Sequence, residues 1–207
     1  MDLVNIFPPK SSPFGLTYEE HIKNYWKFII SIPADQNPVN DETGDKTVTN
    51  QKDSSSPVFY LADKRGKAER KCIIPSGKGV LIPVMVVEVS DSERPNTPVE
   101  QLHRIATKDQ DSVTSLYLKI NDKEYDSTNL GGYRTHTDDF DVEFPENPIY
   151  DATPGKSKAV ADGYYIITDV LPKGEHEIYF KSNLTSEGED PLEPYFETDV
   201  KYTVIVK

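Results

Sequence analysis

A single cysteine, Cys72, stands in 207 residues, so no intrachain disulfide can form and a disulfide-stapled secreted scaffold is excluded. Long apolar runs are missing too: none approaches the roughly 20 residues of a membrane-spanning helix, and no membrane span is expected. The opening MDLVNIFPPKSSPFG lacks a basic start followed by an apolar stretch, so it does not read as a signal peptide. The expectation is a protein kept inside the cell or a mature form preceded by an added Met. Basic residues are scarce. Lys+Arg 23 against Asp+Glu 35 leaves a net charge of -12, which should repel phosphate backbones and anionic lipid, and no nucleic-acid partner is expected. Excess carboxylate is an ordinary device for solubility. No Gly-x-Ser-x-Gly, His-Glu-x-x-His or dinucleotide fingerprint occurs, and Pro75-Ser-Gly-Lys-Gly79 lacks the spacing of a phosphate loop.

Hydrophobic residues are also few, at 36% with a mean hydropathy of -0.60. Tyr 12 and Phe 8 compensate, because each aromatic buries a large area. Sixteen prolines and eleven glycines call for many turns, which favours strands over a helical bundle. One domain of this length buries enough surface to fold without metal or disulfide.

Residues 1–16, with three prolines, read as an extended arm. Thr17 and Glu20 fit a capping box. Tyr18, Ile22, Tyr25, Trp26, Ile29 and Ile30 follow at helical spacing, predicting an amphipathic helix over 17–31 that packs through Ile22, Trp26 and Ile29. Residues 33–57 are polar and turn-rich and predict a long, mobile surface loop. From Pro57 the signals are β: 58–62, 71–74, 79–89, 113–120, a hairpin through 123–125, 139–144, 163–170, 175–182 and 197–207. Pro83 inside the apolar run 79–89 predicts a bulge or an edge. Val99, Leu102, Ile105 and Ala106 predict one short second helix near 98–107. The whole reads as a single domain, mainly β: a two-sheet antiparallel β-sandwich, Ig-like or jelly-roll-like, spanning 58–207 behind the N-terminal helix.

Several residues carry chemistry. Cys72 sits in the apolar run Cys-Ile-Ile and reads as a buried, unreactive thiol. Asp139, Asp141 and Glu143 alternate along one strand face, where hard oxygens suit Ca²⁺; the competing reading is a solvated face with Phe140, Val142 and Phe144 turned inward. No other cofactor is expected. Glu88 interrupts the apolar strand on the face of Val84 and Val86. Either it is a buried acid in a cleft, a weak catalytic or ligand-binding candidate, or the strand leaves the core there, since Ser90-Asp-Ser-Glu93 follows. Asn183-Leu-Thr185 is an N-glycosylation sequon, relevant only to an exported chain.

The segments PFGLTYEEHIKNYWKFIISIP, GDKTVTNQ with SPVFYLA, RKCIIPSGKGVLIPVMVVEVSD and PGKSKAVADGYYIITDVLPKGEHEIYFKS resemble, in order, the pattern of an uncharacterised, mostly secreted prokaryotic family. Its members open like PYGKTYGEWSARWWQWAFSIP and continue with PAGKALFFPI and ADGYW…LPPGEHTIHF. The resemblance covers most of the chain apart from parts of 90–150. It implies an extracytoplasmic location, and it adds Gln51, in the matched Asn-Gln segment, as a ligand-binding candidate. The family pattern has cysteines at the positions of Thr47 and Cys72, a plausible disulfide there that this chain cannot make. No activity comes with the resemblance. The function expected is a non-catalytic extracytoplasmic binding module for a glycan, small ligand or protein. A carboxylate-dependent hydrolase using Glu88, and a structural or accessory subunit of a cell-envelope complex reached through the arm 1–16, stand as alternatives.

Overall fold

The computed structural model of the chain describes residues 4–51, 54–186 and 195–207. Two five-stranded sheets face each other around one continuous core, a mainly β, sandwich-like arrangement. In chain order the elements are α1 (Tyr18–Ile30), α2 (Asp45–Thr49), β1 (Val58–Tyr60), β2 (Gly66–Ile74), β3 (Gly79–Ser90), α3 (Val99–Asp111), β4 (Val113–Ile120), β5 (Lys123–Asp126), α4 (Ser127–Leu130), β6 (Arg134–His136), β7 (Phe140–Phe144), β8 (Gly155–Ile167), β9 (Gly174–Thr185) and β10 (Tyr195–Val206). One sheet runs β1-β3-β8-β6, with β7 also on β8; the other runs β2-β10-β9-β4-β5.

The sheets are mixed, which corrects the purely antiparallel expectation. β1 lies parallel to β3, and β2 lies parallel to β10 along nine residue pairs, Thr198↔Gly66 to Val206↔Ile74. The turn 75–78 therefore does not close a hairpin: it carries the chain from one sheet into the other. Pro83 does mark a bulge, where the β3–β8 register slips between Pro83 and Met85. Opposite it, β8 comes close. A Cβ on Gly163, whose φ is +151°, would lie 2.6 Å from the Met85 carbonyl oxygen.

Helix α1 starts as its sequence dictates. The Thr17 hydroxyl accepts from the Glu20 amide, and the Glu20 carboxylate accepts from the Thr17 amide at 2.7 Å. Its apolar stripe, Ile22, Trp26 and Ile29 included, is buried, and the helix lies against β6, β7 and β8. The Trp26 indole N–H donates to the Tyr165 hydroxyl at 2.7 Å, tying α1 to β8. Helix α3 is a full three and a half turns, not a short one. Its apolar stripe stops at Ala106, yet the polar continuation stays helical because Asp109 and Gln110 are themselves buried. Leu102 and Ala106 pack on Val89 and Val160.

The segment 33–57 is not the loose surface loop its composition suggests. It contains a 3₁₀ turn at Pro38–Asn40 and the helix α2. Asn37, Asp41 and Gln51 are buried and hydrogen-bonded, while polar residues such as Asp35, Asn40 and Glu42 stay exposed. Asn37 donates to the carbonyls of Ile29 and Ile32, and the Asp41 carboxylate accepts from the amides of Thr43 and Lys46. The buried Arg70 guanidinium reaches the Asp41 and Ala62 carbonyls and the Tyr202 hydroxyl, each at 2.7 Å. The arm at the N-terminus is docked rather than free. Val4 is buried, Ile6 bridges to Thr168, the Phe7 amide donates to Ile167, and Phe7 meets Phe14 edge to face. The acidic stretch 187–193 lies outside the described residues.

Candidate functional site

Glu88 lies in the body of β3, 7% exposed, so the strand does not leave the core there. Beside it opens a cavity of about 500 Å³. Trp26, Met85, Leu184 and Phe196 form much of its apolar wall, and Asp63, Glu88, Glu93, Asp109 and Asp151 bring carboxyl groups to it, with Arg94 as the cation. β3 supplies Glu88, and the turn that follows folds Glu93 back over the strand. This fold-back is held by two bonds: the Ser90 amide and hydroxyl both donate to Glu93 Oε2, at 3.1 and 2.7 Å.

Neither Glu88 oxygen accepts a hydrogen bond from a protein donor among the described residues. The nearby Ser90 hydroxyl has one proton, and Glu93 takes it. The two carboxyl groups are within hydrogen-bonding reach of each other. Burial and the neighbouring Glu93 charge push Glu88 well above the ordinary carboxylate range. Burial raises Glu93 as well, opposed by its bonds to Ser90. The arrangement is satisfied when Glu88 carries a proton and donates it to a Glu93 carboxylate fixed by Ser90, two acids sharing one proton.

Asp63 follows β1 and is 8% exposed. Burial pushes it up to about 6 against the pull of the Arg70 charge. At the cavity rim Tyr150 and Asp151 are consecutive residues with left-handed backbone, φ +61° and +55°. For non-glycine residues this conformation costs energy and persists only where surrounding structure imposes it. Tyr150 leaves 47% of its surface to solvent, yet dense surroundings at the phenol raise its hydroxyl well above the ordinary value.

The other sequence candidates lie elsewhere. Gln51 is buried, but its amide is used as a strand partner. It accepts from the Tyr60 amide and donates to the Tyr60 carbonyl, both at 2.8 Å, and also donates to Thr47. It pins α2 to β1 and does not line the cavity. Asp139, Asp141 and Glu143 do not form a calcium site. Phe140, Val142 and Phe144 are turned inward, and Lys158 of β8 pairs with Asp139 at 3.1 Å and Asp141 at 3.0 Å. Among the described residues no three His, Cys, Asp or Glu side chains are arranged to hold a metal ion. Cys72 is buried with its thiol on the Gly44 carbonyl, and burial pushes it up to about 12. Asn183 of the sequon sits inside β9 and donates to Ser115. Reading the sequence alone missed Glu93, Asp63 and Tyr150. The one available signal for Glu93 was its position five residues beyond Glu88, across a Ser-Asp-Ser turn.

No family model, no curated protein and no solved structure matches the chain. No helix among the described residues is long and apolar enough to cross a membrane.

Proposed function

We propose that the chain is a binding module whose ligand is a small organic ammonium compound held in the Glu88 cavity. The observation that carries this reading is the Glu88–Glu93 pair: a buried acid group without a protein donor, opening on a space of ligand size. The cavity wall is rich in acceptors and poor in donors, so the missing donors must come from the ligand. With Glu88 neutral, four further carboxyl groups still stand against one guanidinium and favour a positive charge, and the aromatic side chains of Trp26, Tyr150 and Phe196 line the same space, where an ammonium group rests well. The strained Tyr150–Asp151 backbone at the rim is the kind of feature kept where a site needs it. The resemblance to a secreted family supports an extracytoplasmic location for such a module. The hydrolase alternative draws less support, because Glu88 and Glu93 touch each other rather than flank a substrate about 5–10 Å apart.

The test is a thermal-shift and calorimetric screen of the purified chain at pH 7.5 with choline, putrescine and spermidine, against glucose and inositol as neutral controls. Saturable binding of an ammonium compound, lost at least tenfold in Glu88→Leu and Glu93→Gln, is expected. Binding of the neutral sugars alone would refute the ammonium assignment. Glycoside turnover abolished by Glu88→Gln would refute the non-catalytic reading.

A further inference from the structure

A second cluster lies away from the cavity, where α3 crosses the edge of the β6–β8 pair. Strand register sets His136 directly opposite Asp162. Asp162 is almost wholly buried, its side chain 1% exposed. Arg134 grips it with two parallel bonds, Nε to Oδ1 at 3.0 Å and Nη2 to Oδ2 at 2.8 Å, and is itself braced by Asp111 at 2.6 Å and the Thr107 carbonyl. His136 Nδ1 rests on Asp162 Oδ2 at 3.3 Å. On its other side, His136 Nε2 meets His103 Nδ1 of α3 at 2.7 Å. Two imidazole nitrogens from separate elements thus meet head on, with ring centroids 4.9 Å apart. Glu19 of α1, fixed by the Asp138 amide and by Lys23, adds negative charge near His136.

We propose that this point is a binding site for a late first-row divalent cation, Cu²⁺ or Zn²⁺, with His103 Nδ1 and His136 Nε2 as the protein ligands. Three features point this way. Imidazole is the nitrogen donor these ions prefer. His136 is oriented by a buried carboxylate through its far nitrogen, the outer-shell arrangement that fixes tautomer and ring direction in metal-ligating histidines. That carboxylate is locked in turn by Arg134, so the anchor of His136 is fixed. A tetrahedral ion with metal–nitrogen bonds of about 2.1 Å needs its two nitrogens about 3.4 Å apart. The nitrogens now point at each other, so ion binding breaks their hydrogen bond and turns both partly exposed rings until the two nitrogens meet at the ion. The proton balance is simple. With His136 Nδ1–H on Asp162, the proton between the rings belongs to His103 Nδ1; metal binding moves it to His103 Nε2, and no net proton is released. Water completes the coordination, so the site is exchangeable rather than structural. None of these residues lines the Glu88 cavity, and the site stands or falls independently of the ammonium reading.

The experiment uses the full-length, tag-free chain stripped with chelator, titrated with CuCl₂ and ZnCl₂ by calorimetry, with frozen-solution electron paramagnetic resonance of the one-equivalent Cu²⁺ sample. One equivalent should bind, with splitting from two imidazole nitrogens. His103→Gln and His136→Gln should each weaken affinity at least tenfold while keeping the wild-type circular dichroism and melting profile. Both positions are partly solvent-exposed, so folding is expected to survive. Absence of one-equivalent binding, binding unchanged in the double variant, or a copper spectrum without imidazole nitrogen would overturn the assignment.

Discussion

Glu88 and Asp162 are buried carboxylates on neighbouring strands, and the fold treats them in opposite ways. The β3–β8 register pairs Val87 with Asp162 and Glu88 with Ala161, so pleat alternation sends the two side chains to opposite faces of the same sheet. Asp162 meets a guanidinium and an imidazole. Glu88 meets a second acid and a cavity. Burying a carboxylate is costly unless it is paired. At Asp162 the fold supplies the partner, and the group serves rigidity. At Glu88 the fold leaves it out, and the group is held neutral and available.

The comparison breaks first at Arg134. Arg134→Met leaves the buried Asp162 charge uncompensated and should cost about 3 kcal/mol, the low end for a broken buried pair, since the guanidinium is partly exposed. Urea denaturation at pH 7 measures it. A loss under about 1 kcal/mol would mean that Asp162 is no more dependent on its partner than an ordinary surface acid.

Next in size is the pH response of the cavity side. Asp63, at about 6 in the fold, is raised above the value near 4 of an unfolded aspartate, and Glu88 is raised as well. Between those values the folded state binds more protons than the unfolded one, so stability falls as pH rises through the window from about 4 to 6. Asp63 alone accounts for about 2 kcal/mol of that fall. Glu19, Asp41 and Glu177 are lowered, and their contribution is lost only as pH drops below this window. Chemical denaturation at pH 5 and pH 7.5 should therefore find the chain more stable at pH 5. Equal stability at the two values would remove the case for a raised acid pair.

Smaller again is the effect of Glu88→Gln. Its amide can donate to Glu93 without having to hold a proton, so at pH 7.5 the variant should be more stable than wild type by about 1 kcal/mol, with a shallower pH slope. A destabilised variant would show that Glu88 is ionised in the fold and shares no proton with Glu93.

What could be read from the residues was local. Thr17, Glu20 and the stripe from Tyr18 to Ile30 announce α1 because capping and periodicity act within a few residues, and Pro83 announces its bulge for the same reason. The parallel pairings β1 with β3 and β2 with β10 were not legible, since alternation says which face a side chain takes and not which strand lies beside it. The inward-facing polar residues of 33–51 misled in a different way. Asn37, Asp41 and Gln51 look solvent-seeking, but backbone amides and carbonyls satisfy them as well as water would. Glu88 could be singled out as an awkward acid, while its partner Glu93 depended on a turn folding back. His103 and His136 are 33 positions apart, and only packing of α3 on the sheet brings them together.

The smallest expected effect concerns the acidic face of β7, the exposed counterpart to both buried acids. Lys158 is 45% exposed at its side chain and Asp141 84%, so their pair is screened by water and its removal in Lys158→Ala should cost no more than about 0.5 kcal/mol. The same variant tests the calcium reading from the other side. If Lys158 merely occupied a latent calcium site, its removal would free Asp139, Asp141 and Glu143 to bind the ion, and millimolar CaCl₂ would then raise the melting temperature. Strand geometry argues against this. Residues two apart on a strand are separated by about 6.8 Å, whereas oxygens sharing one Ca²⁺ at about 2.4 Å must lie within about 5 Å of each other. Differential scanning calorimetry of Lys158→Ala with and without CaCl₂ should show no shift; a saturable rise would restore the acidic strand face as a cation site.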